Sequence, residues 1–474
     1  MVFGLGEFDR LGELAGEYGV KPLVVVGRKF ARESGLLDRA LKLLESEGME
    51  PVVFEGIEPN PRLSTCVQGA RAAAENDCDM VIGIGGGSVM DASKTIAFGF
   101  YDPDGIWRRI AHWLDDYEKP SQALPIILVS TLAATGSEGD NGAVITNWET
   151  REKLGVIADC LYPKVSIVDP KLTLSVPLGY TLDGAVDMSV HVLEGYFNST
   201  EIAPFSDRMS EAFFVEVIIA IDRLLQKPED LLARSQLSYL GAIALTGFIN
   251  RPRGGAAPLH VMQHPLSAHY DISHGRGLAL LLPRWLKYVS REKPDKIIQF
   301  GERVFGLDLE THHPFEAADR AIETLVGWLE DVGASFFMDD LGIPNDPETF
   351  RKMAEDAVRM YGDEDGLIEG IKPLGVDDIV AVYESCVRTG APEIEESEAE
   401  AEVAEPAAEE EEDESVAGEV SEGEPGGPPV EEAALEVVEE VIEVVEGEPL
   451  PEGVEGEDYV IVEEVIEIVE EEEK

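Results

Sequence analysis

Histidine has an uneven distribution in this 474-residue sequence. Four of its eight histidines, His260, His264, His269 and His274, lie within fifteen residues, while His112, His191, His312 and His313 are scattered. An isolated histidine usually satisfies a polar neighbour and nothing more, so the clustering is the informative fact. Two pairs have i, i+4 spacing: Asp187 with His191, and His260 with His264. On a helix that spacing puts both side chains on one face, about 6 Å apart along the axis, which suits two ligands of one ion. Pro265 and Gly275 are expected to break the second segment, so that His274 returns on a loop or at the start of a following helix. One carboxylate with several imidazoles suits Fe²⁺ or Zn²⁺ rather than Ca²⁺ or Mg²⁺, and spacing does not separate iron from zinc. A catalytic ion is the expectation and a structural one the alternative.

A second chemical feature is the run 85–94, GGGSVMDASK, set between an apolar strand and a helix. Glycines there let the backbone approach a pyrophosphate, and free N–H groups at the helix start favour its charge. The run is neither G-x-G-x-x-G nor G-x-x-x-x-G-K-[ST], so it carries neither standard nucleotide fingerprint. Taken alone it reads equally well as a structural turn.

The elements that must position these groups fall into three stretches. Residues 1–177 alternate short apolar runs with amphipathic ones, the pattern of an α/β domain with a parallel sheet. Strands are expected at 22–27 and from residues 51, 79, 123, 142 and 164, with helices at 36–47 and 64–76. Residues 178–390 read as an all-helical domain, with helices at 181–197, 207–225, 229–248, 293–305, 314–329, 347–360 and 376–386; Pro177 and Gly179 mark the boundary. Residues 391–474 form an acidic low-complexity tail with 35 acidic residues and one basic, so −34 of the net −58 resides there. Its stretch 393–429 is too charged and too poor in large apolar groups to order itself. Beyond that, VEEVIEVVEGE at 438–448 returns as VEEVIEIVEEE at 462–472. A flexible appendage is the expectation for this tail, and a module binding some unidentified partner the alternative.

The remaining 390 residues keep 60 acidic against 36 basic. Such a surface argues against nucleic acid and against anionic membranes as partners. Four cysteines without a C-x-x-C pair indicate neither a disulfide framework nor a zinc knuckle, and the N-terminus lacks the pattern of a signal peptide. A cytoplasmic location is the expectation.

Together, GGGSVMDASK at 85–94, STLAATGSE at 130–138, Asp187-x₃-His191 and His260-x₃-His264-x₉-His274-Gly resemble the iron-containing (group III) alcohol dehydrogenase family. The similarity runs in order through about residue 388, including FGLGEF from Phe3 and the Pro59-Asn-Pro run. It implies a dinucleotide-binding α/β domain, a helical domain and an active site in the cleft between them, in a homodimer. Carried over, the metal ligands are Asp187, His191, His260 and His274, with His264 beside the nicotinamide and substrate. The pyrophosphate is expected on Gly86, Gly87 and Ser88 and the nicotinamide side near Asp91. Asn60, Thr131, Leu132 and Lys153 match other cofactor-contacting positions. Family members that prefer NAD often carry an acidic residue after the first long strand; here Gly27, Arg28 and Lys29 follow it. Losing a carboxylate and gaining two cations favours NADP(H) over NAD(H).

Local wording is most similar to the butanol dehydrogenase and aldehyde reductase branch. The implied reaction is hydride transfer between NADP(H) and an aldehyde or primary alcohol, with Fe²⁺ or Zn²⁺ as Lewis acid and His264 relaying a proton to solvent. Glycerol or glycerol-phosphate dehydrogenases and dehydroquinate synthase share the architecture. The phosphorylated substrate of the last needs a basic pocket, for which only Arg251, Arg253 and Arg276 stand near the histidines. A scaffold whose acidic tail binds a partner is the non-enzymatic alternative.

Overall fold

The structure, a computed structural model, describes residues 1–112, 118–253 and 257–388. The tail sequences singled out above lie outside the described residues. Eight strands are present among the described residues: β1 (Val2–Phe3), β2 (Pro22–Gly27), β3 (Val52–Ile57), β4 (Met80–Gly85), β5 (Ile126–Ser130), β6 (Gly142–Asn147), β7 (Glu152–Ile157) and β8 (Val165–Val168). Six of them form one parallel sheet in the order β1-β8-β5-β4-β2-β3. Leu23 and Val25 of β2 enter the core on one face of this sheet, and Val24 and Val26 enter the core on the other. Because both faces are buried, the strands read as continuous apolar runs rather than alternating ones.

One expected strand behaves differently. Residues 142–147 do not join the parallel sheet; β6 pairs antiparallel with β7, a strand that sequence reading did not identify. Half-buried alternation is the same whichever partner a strand finds, so the pattern could not tell the two arrangements apart.

From Leu178 onward the chain is helical, with helices Leu178–Phe197, Pro204–Gln226, Leu231–Ala244, Pro258–Tyr270, His274–Val289, Pro294–Phe305, Pro314–Asp331, Pro347–Tyr361 and Val376–Ser385. Five of these open on proline, whose missing N–H costs nothing at a helix start and whose fixed φ suits it. This is the α/β plus all-helical architecture expected from the sequence. The described residues belong to one compact unit, so the two halves are packed together rather than strung on a linker.

Pro265 does not break its segment; it lies inside helix Pro258–Tyr270. A proline there costs about 3 kcal/mol. Burial of Leu259, Met262, Leu266 and Ala268 from the same helix offsets that loss. Gly275 does not end a helix either. It is the second residue of helix His274–Val289, and a Cβ on it would stand 2.1 Å from the Asp183 carbonyl oxygen. Its glycine lets two helices approach closely. Among the described residues no helix is long and apolar enough to cross a membrane.

Candidate functional site

Helix Leu178–Phe197 carries Asp187, His191 and Glu194 at i, i+4 and i+7, one stripe directed at helix Pro258–Tyr270. Ligating atoms of Asp187, His191 and His260 lie within 4.8 Å of one another. The rings of His191 and His260 are 4.3 Å apart and those of His260 and His274 5.4 Å. His274 opens its helix and brings Nε2 to 3.9 Å from Asp187 Oδ1. Three of the four predicted ligands therefore form one group, and His274 stands at its edge. His264, which spacing alone had paired with His260, turns its Nδ1 to Tyr361.

Each histidine of the cluster has its Nδ1 committed. His191 Nδ1 donates to the Asp187 carbonyl at 2.9 Å. His260 Nδ1 donates to the carboxylate of Glu194, which also receives the Leu259 backbone N–H. His274 Nδ1 donates to Gln263 Oε1, because the Gln263 amide nitrogen is already spent on Ser267 Oγ at 2.6 Å. All three rings are thereby left with a bare Nε2 lone pair. His260 Nε2 is buried and has no hydrogen-bond partner, and Asp187 Oδ1, equally buried, has only His191 Nδ1 beside it at 3.2 Å. A cation held between these two atoms would satisfy both. The donor set of one carboxylate and three imidazole nitrogens fits Fe²⁺ or Zn²⁺.

Burial disfavours the charged form of His191, but the Asp187 carboxylate outweighs it and raises the pKa. Burial drives His264 and His274 well below the usual imidazole range, so both are neutral. His264 Nδ1 lies 2.8 Å from Tyr361 Oη, and that hydroxyl donates to the Lys153 carbonyl at 3.2 Å. With the tyrosine proton on that carbonyl, His264 donates from Nδ1. Its Nε2 is left unprotonated.

The glycine run opens helix Gly87–Gly99 just after β4, with Gly86 extended at the cap. Cβ atoms on Gly85 or Gly87 would fall within 2.8 Å of Val89 or Thr135, so the turn admits only glycine there. The first N–H groups of this 13-residue helix have no carbonyl below them. Lys94 anchors it: fully buried, it donates to the Ser137 and Gly142 carbonyls, both at 2.7 Å, and pairs with Asp140 at 2.5 Å. Asp91 accepts from Ser137 Oγ and Val144 N at 2.7 and 2.9 Å. Burial lifts its pKa to about 6. Asp91 thus ties the helix to β6.

Thr131 and Leu132 follow β5, with the Leu132 side chain against Gly86. Lys153 on β7 donates to Asn60 Oδ1 at 2.9 Å, and burial lowers its pKa to about 8. Gly27 ends β2; Arg28 is exposed and stands 3.8 Å from Glu58, and Lys29 is exposed. Arg276 is partly exposed and bonds Asp183 through Nε at 3.1 Å.

Sequence reasoning missed Glu194, Gln263 and Tyr361. Glu194 had a usable signal, since i+7 continues the Asp187–His191 stripe. Gln263, three residues after His260, had a weaker one. Tyr361 had none, being 97 residues from the histidine it touches.

Residues 1–170 match the family described as iron-containing alcohol dehydrogenase, and residues 181–387 match the C-terminal part of the same family. The chain is 35% identical to NADH-dependent butanol dehydrogenase A of Clostridium acetobutylicum over 382 residues, 80% of this chain and 96% of that protein. It is 29% identical to the NADPH-dependent aldehyde reductase YqhD of Escherichia coli, over 77% of this chain and 93% of the relative. The crystal structure of NADH-dependent butanol dehydrogenase A from Thermotoga maritima superposes with a TM-score of 0.76 at 34% identity, covering 82% of this chain and 96% of the other.

Proposed function

The chain belongs to the iron-containing alcohol dehydrogenase family and is an NAD(P)-dependent, metal-containing alcohol dehydrogenase; from that premise we propose that it interconverts small aldehydes and primary alcohols at a metal held by Asp187, His191, His260 and His274. The observation that carries this reading is the convergence of Asp187, His191 and His260, whose ligating atoms lie within 4.8 Å of one another, with His260 Nε2 buried and unpartnered and the Nδ1 atoms of the cluster all engaged. When bound, the cation supplies electrophilic polarisation of a carbonyl or alcohol oxygen, and the nicotinamide supplies or accepts hydride.

The chain's own residues do the rest. Glu194 and Gln263 hold the rings of His260 and His274 so that their free nitrogens converge. His264 keeps an unprotonated Nε2 for exchange of a proton with the substrate oxygen. Its Nδ1 side faces Tyr361, whose hydroxyl lies 3.2 Å from the Lys153 carbonyl. Gly86, Gly87 and Ser88 offer backbone N–H groups to a pyrophosphate. Lys153 and Asn60 meet the dinucleotide from β7 and the β3 exit.

For the dinucleotide we assign NADP(H), because Gly27, Arg28 and Lys29 place two cations and no carboxylate after β2. NADH is the second reading, favoured by the relatives of 34–36% identity that are named NADH-dependent. The four cysteines are all unpaired, three of them buried, which suits the reducing cytoplasm. The test is oxidation of NADPH and NADH against an aldehyde panel, with protein reconstituted separately with iron and zinc. Turnover with at least one metal, and a higher kcat/KM for NADPH, is the expected result. No turnover with either metal sinks the reading, and a preference for NADH refutes the cofactor assignment alone.

A further inference from the structure

Several contacts away from the metal cluster join the two halves of the body, and they converge on one place. Asn60, just after β3, donates to Asp271 Oδ1 at 3.1 Å and to the Ile272 carbonyl at 3.0 Å while receiving Lys153. Arg62 reaches Asp271 Oδ2 at 2.7 Å. Its guanidinium lies 3.6 Å from the Trp148 ring centroid, and that of Arg151 lies 3.8 Å from the same centroid. Two cations that close must occupy opposite faces of the indole. Arg151 also donates to the Ala268 carbonyl at 3.4 Å, on the helix that Asp271 terminates.

The backbone adds an independent observation. Among the described residues only four non-glycines have positive φ, and three of them are here: Asn60 at 50°, Arg151 at 58° and Asp271 at 55°. Arg151 ends the turn between β6 and β7, and Asp271 is the left-handed cap of helix Pro258–Tyr270. Glycine takes that conformation without steric cost at both kinds of position. In each, the chain instead carries a charged side chain that reaches across the cleft. Conformational cost is retained where the surrounding contacts need the side chain.

We propose that Asp271 is a positioning residue for the dinucleotide. With Arg62, Trp148 and Arg151 it forms a clasp between helix Pro258–Tyr270, the β3 exit and the β6–β7 hairpin, and the clasp fixes Asn60 and Lys153. The inference rests on the reading of those two residues as dinucleotide contacts. Neither Asp271 nor Trp148 touches the ion or the substrate in this scheme; each acts through the pair it holds.

Asp271→Gly separates the clasp from a mere helix end. Glycine relaxes the left-handed cap, so a carboxylate serving only as terminus would be replaced with an equal or higher melting temperature and no other change. The clasp requires instead that Kd for NADPH and NADH, read by nucleotide fluorescence on full-length metal-loaded protein, rise about tenfold or more, as loss of a charge-assisted contact implies. Metal content should stay at the wild-type level. Asp271→Asn, which keeps an acceptor for Asn60 but not the charge facing Arg62, should recover part of the affinity. Trp148→Ala should weaken binding in the same direction, and it carries the test should Asp271→Gly not fold. Wild-type Kd values in the folded variants overturn the proposal. Wild-type protein that binds neither dinucleotide overturns the underlying reading and the proposal with it.

Discussion

Glu194 illustrates how much of this site one residue can decide. It is 2% exposed and forms no ion pair with lysine or arginine among the described residues, yet it accepts from His260 Nδ1 and from the backbone of helix Pro258–Tyr270. An unpaired buried carboxylate is costly unless a cation lies close by, and at the proposed metal site Asp187 with Glu194 would supply two negative charges to balance a divalent ion. Glu194→Gln keeps an acceptor for His260 but deletes one of those charges, and its amide can also donate, which frees His260 to take the wrong tautomer. Metal affinity should fall by about 10- to 100-fold, the usual effect of removing a partner behind a ligand. Chelator competition measures it, and an unchanged metal Kd would mean that Glu194 only caps the neighbouring helix. The residue was legible in the sequence, because i+7 extends the stripe begun at Asp187 and His191. The exit of His264 from the ligand set was not legible in the spacing alone; the family resemblance supplied it. His260 and His264 share a helical face by spacing, and only Tyr361, from a distant helix, distinguishes them.

At the scale of elements, the sequence carried the order of strands and helices well because burial on both sheet faces and amphipathic stripes leave periodic marks. It carried close approaches poorly. Gly275 reads as a breaker from its residue type, whereas the structure uses it as the contact point between helices His274–Val289 and Leu178–Phe197, the two that bring His274 beside Asp187. Two effects of opposite sign then compete in Gly275→Ala. Helix propensity alone favours alanine by up to about 1 kcal/mol. The new Cβ, however, would meet backbone, the Asp183 carbonyl carbon and oxygen at 2.7 and 2.1 Å, which cannot rotate aside as a side chain can. Overpacking of this kind costs about 1–3 kcal/mol, so the clash should win. The expected variant has a lower urea midpoint and also loses metal, because the displaced helix carries His274. Wild-type stability and metal content together would show that the helices separate freely there, and the role given to Gly275 would fail.

For the molecule as a whole, most of the net charge lies apart from the proposed site. The bulk figure of −58 is dominated by residues 391–474, whereas the proposed ligands, the glycine turn and the clasp all lie within residues 1–388. The family match also ends there, at residue 387, and the match to butanol dehydrogenase A covers 80% of this chain and 96% of that protein. Charge as a global quantity therefore says nothing about the site, where locally placed cations such as Lys94 and Lys153 are buried and partnered. An enzyme truncated after Gly390 should retain kcat/KM within about twofold near physiological ionic strength, where charges more than about 8 Å apart are largely screened. Its solubility should fall, since the remaining chain carries −24 in place of −58. Steady-state kinetics on both forms at matched metal content, with light scattering against concentration, measure the two effects separately. Loss of turnover in the truncated enzyme would make the acidic tail part of the catalytic unit, and the separation of charge from function drawn here would not hold.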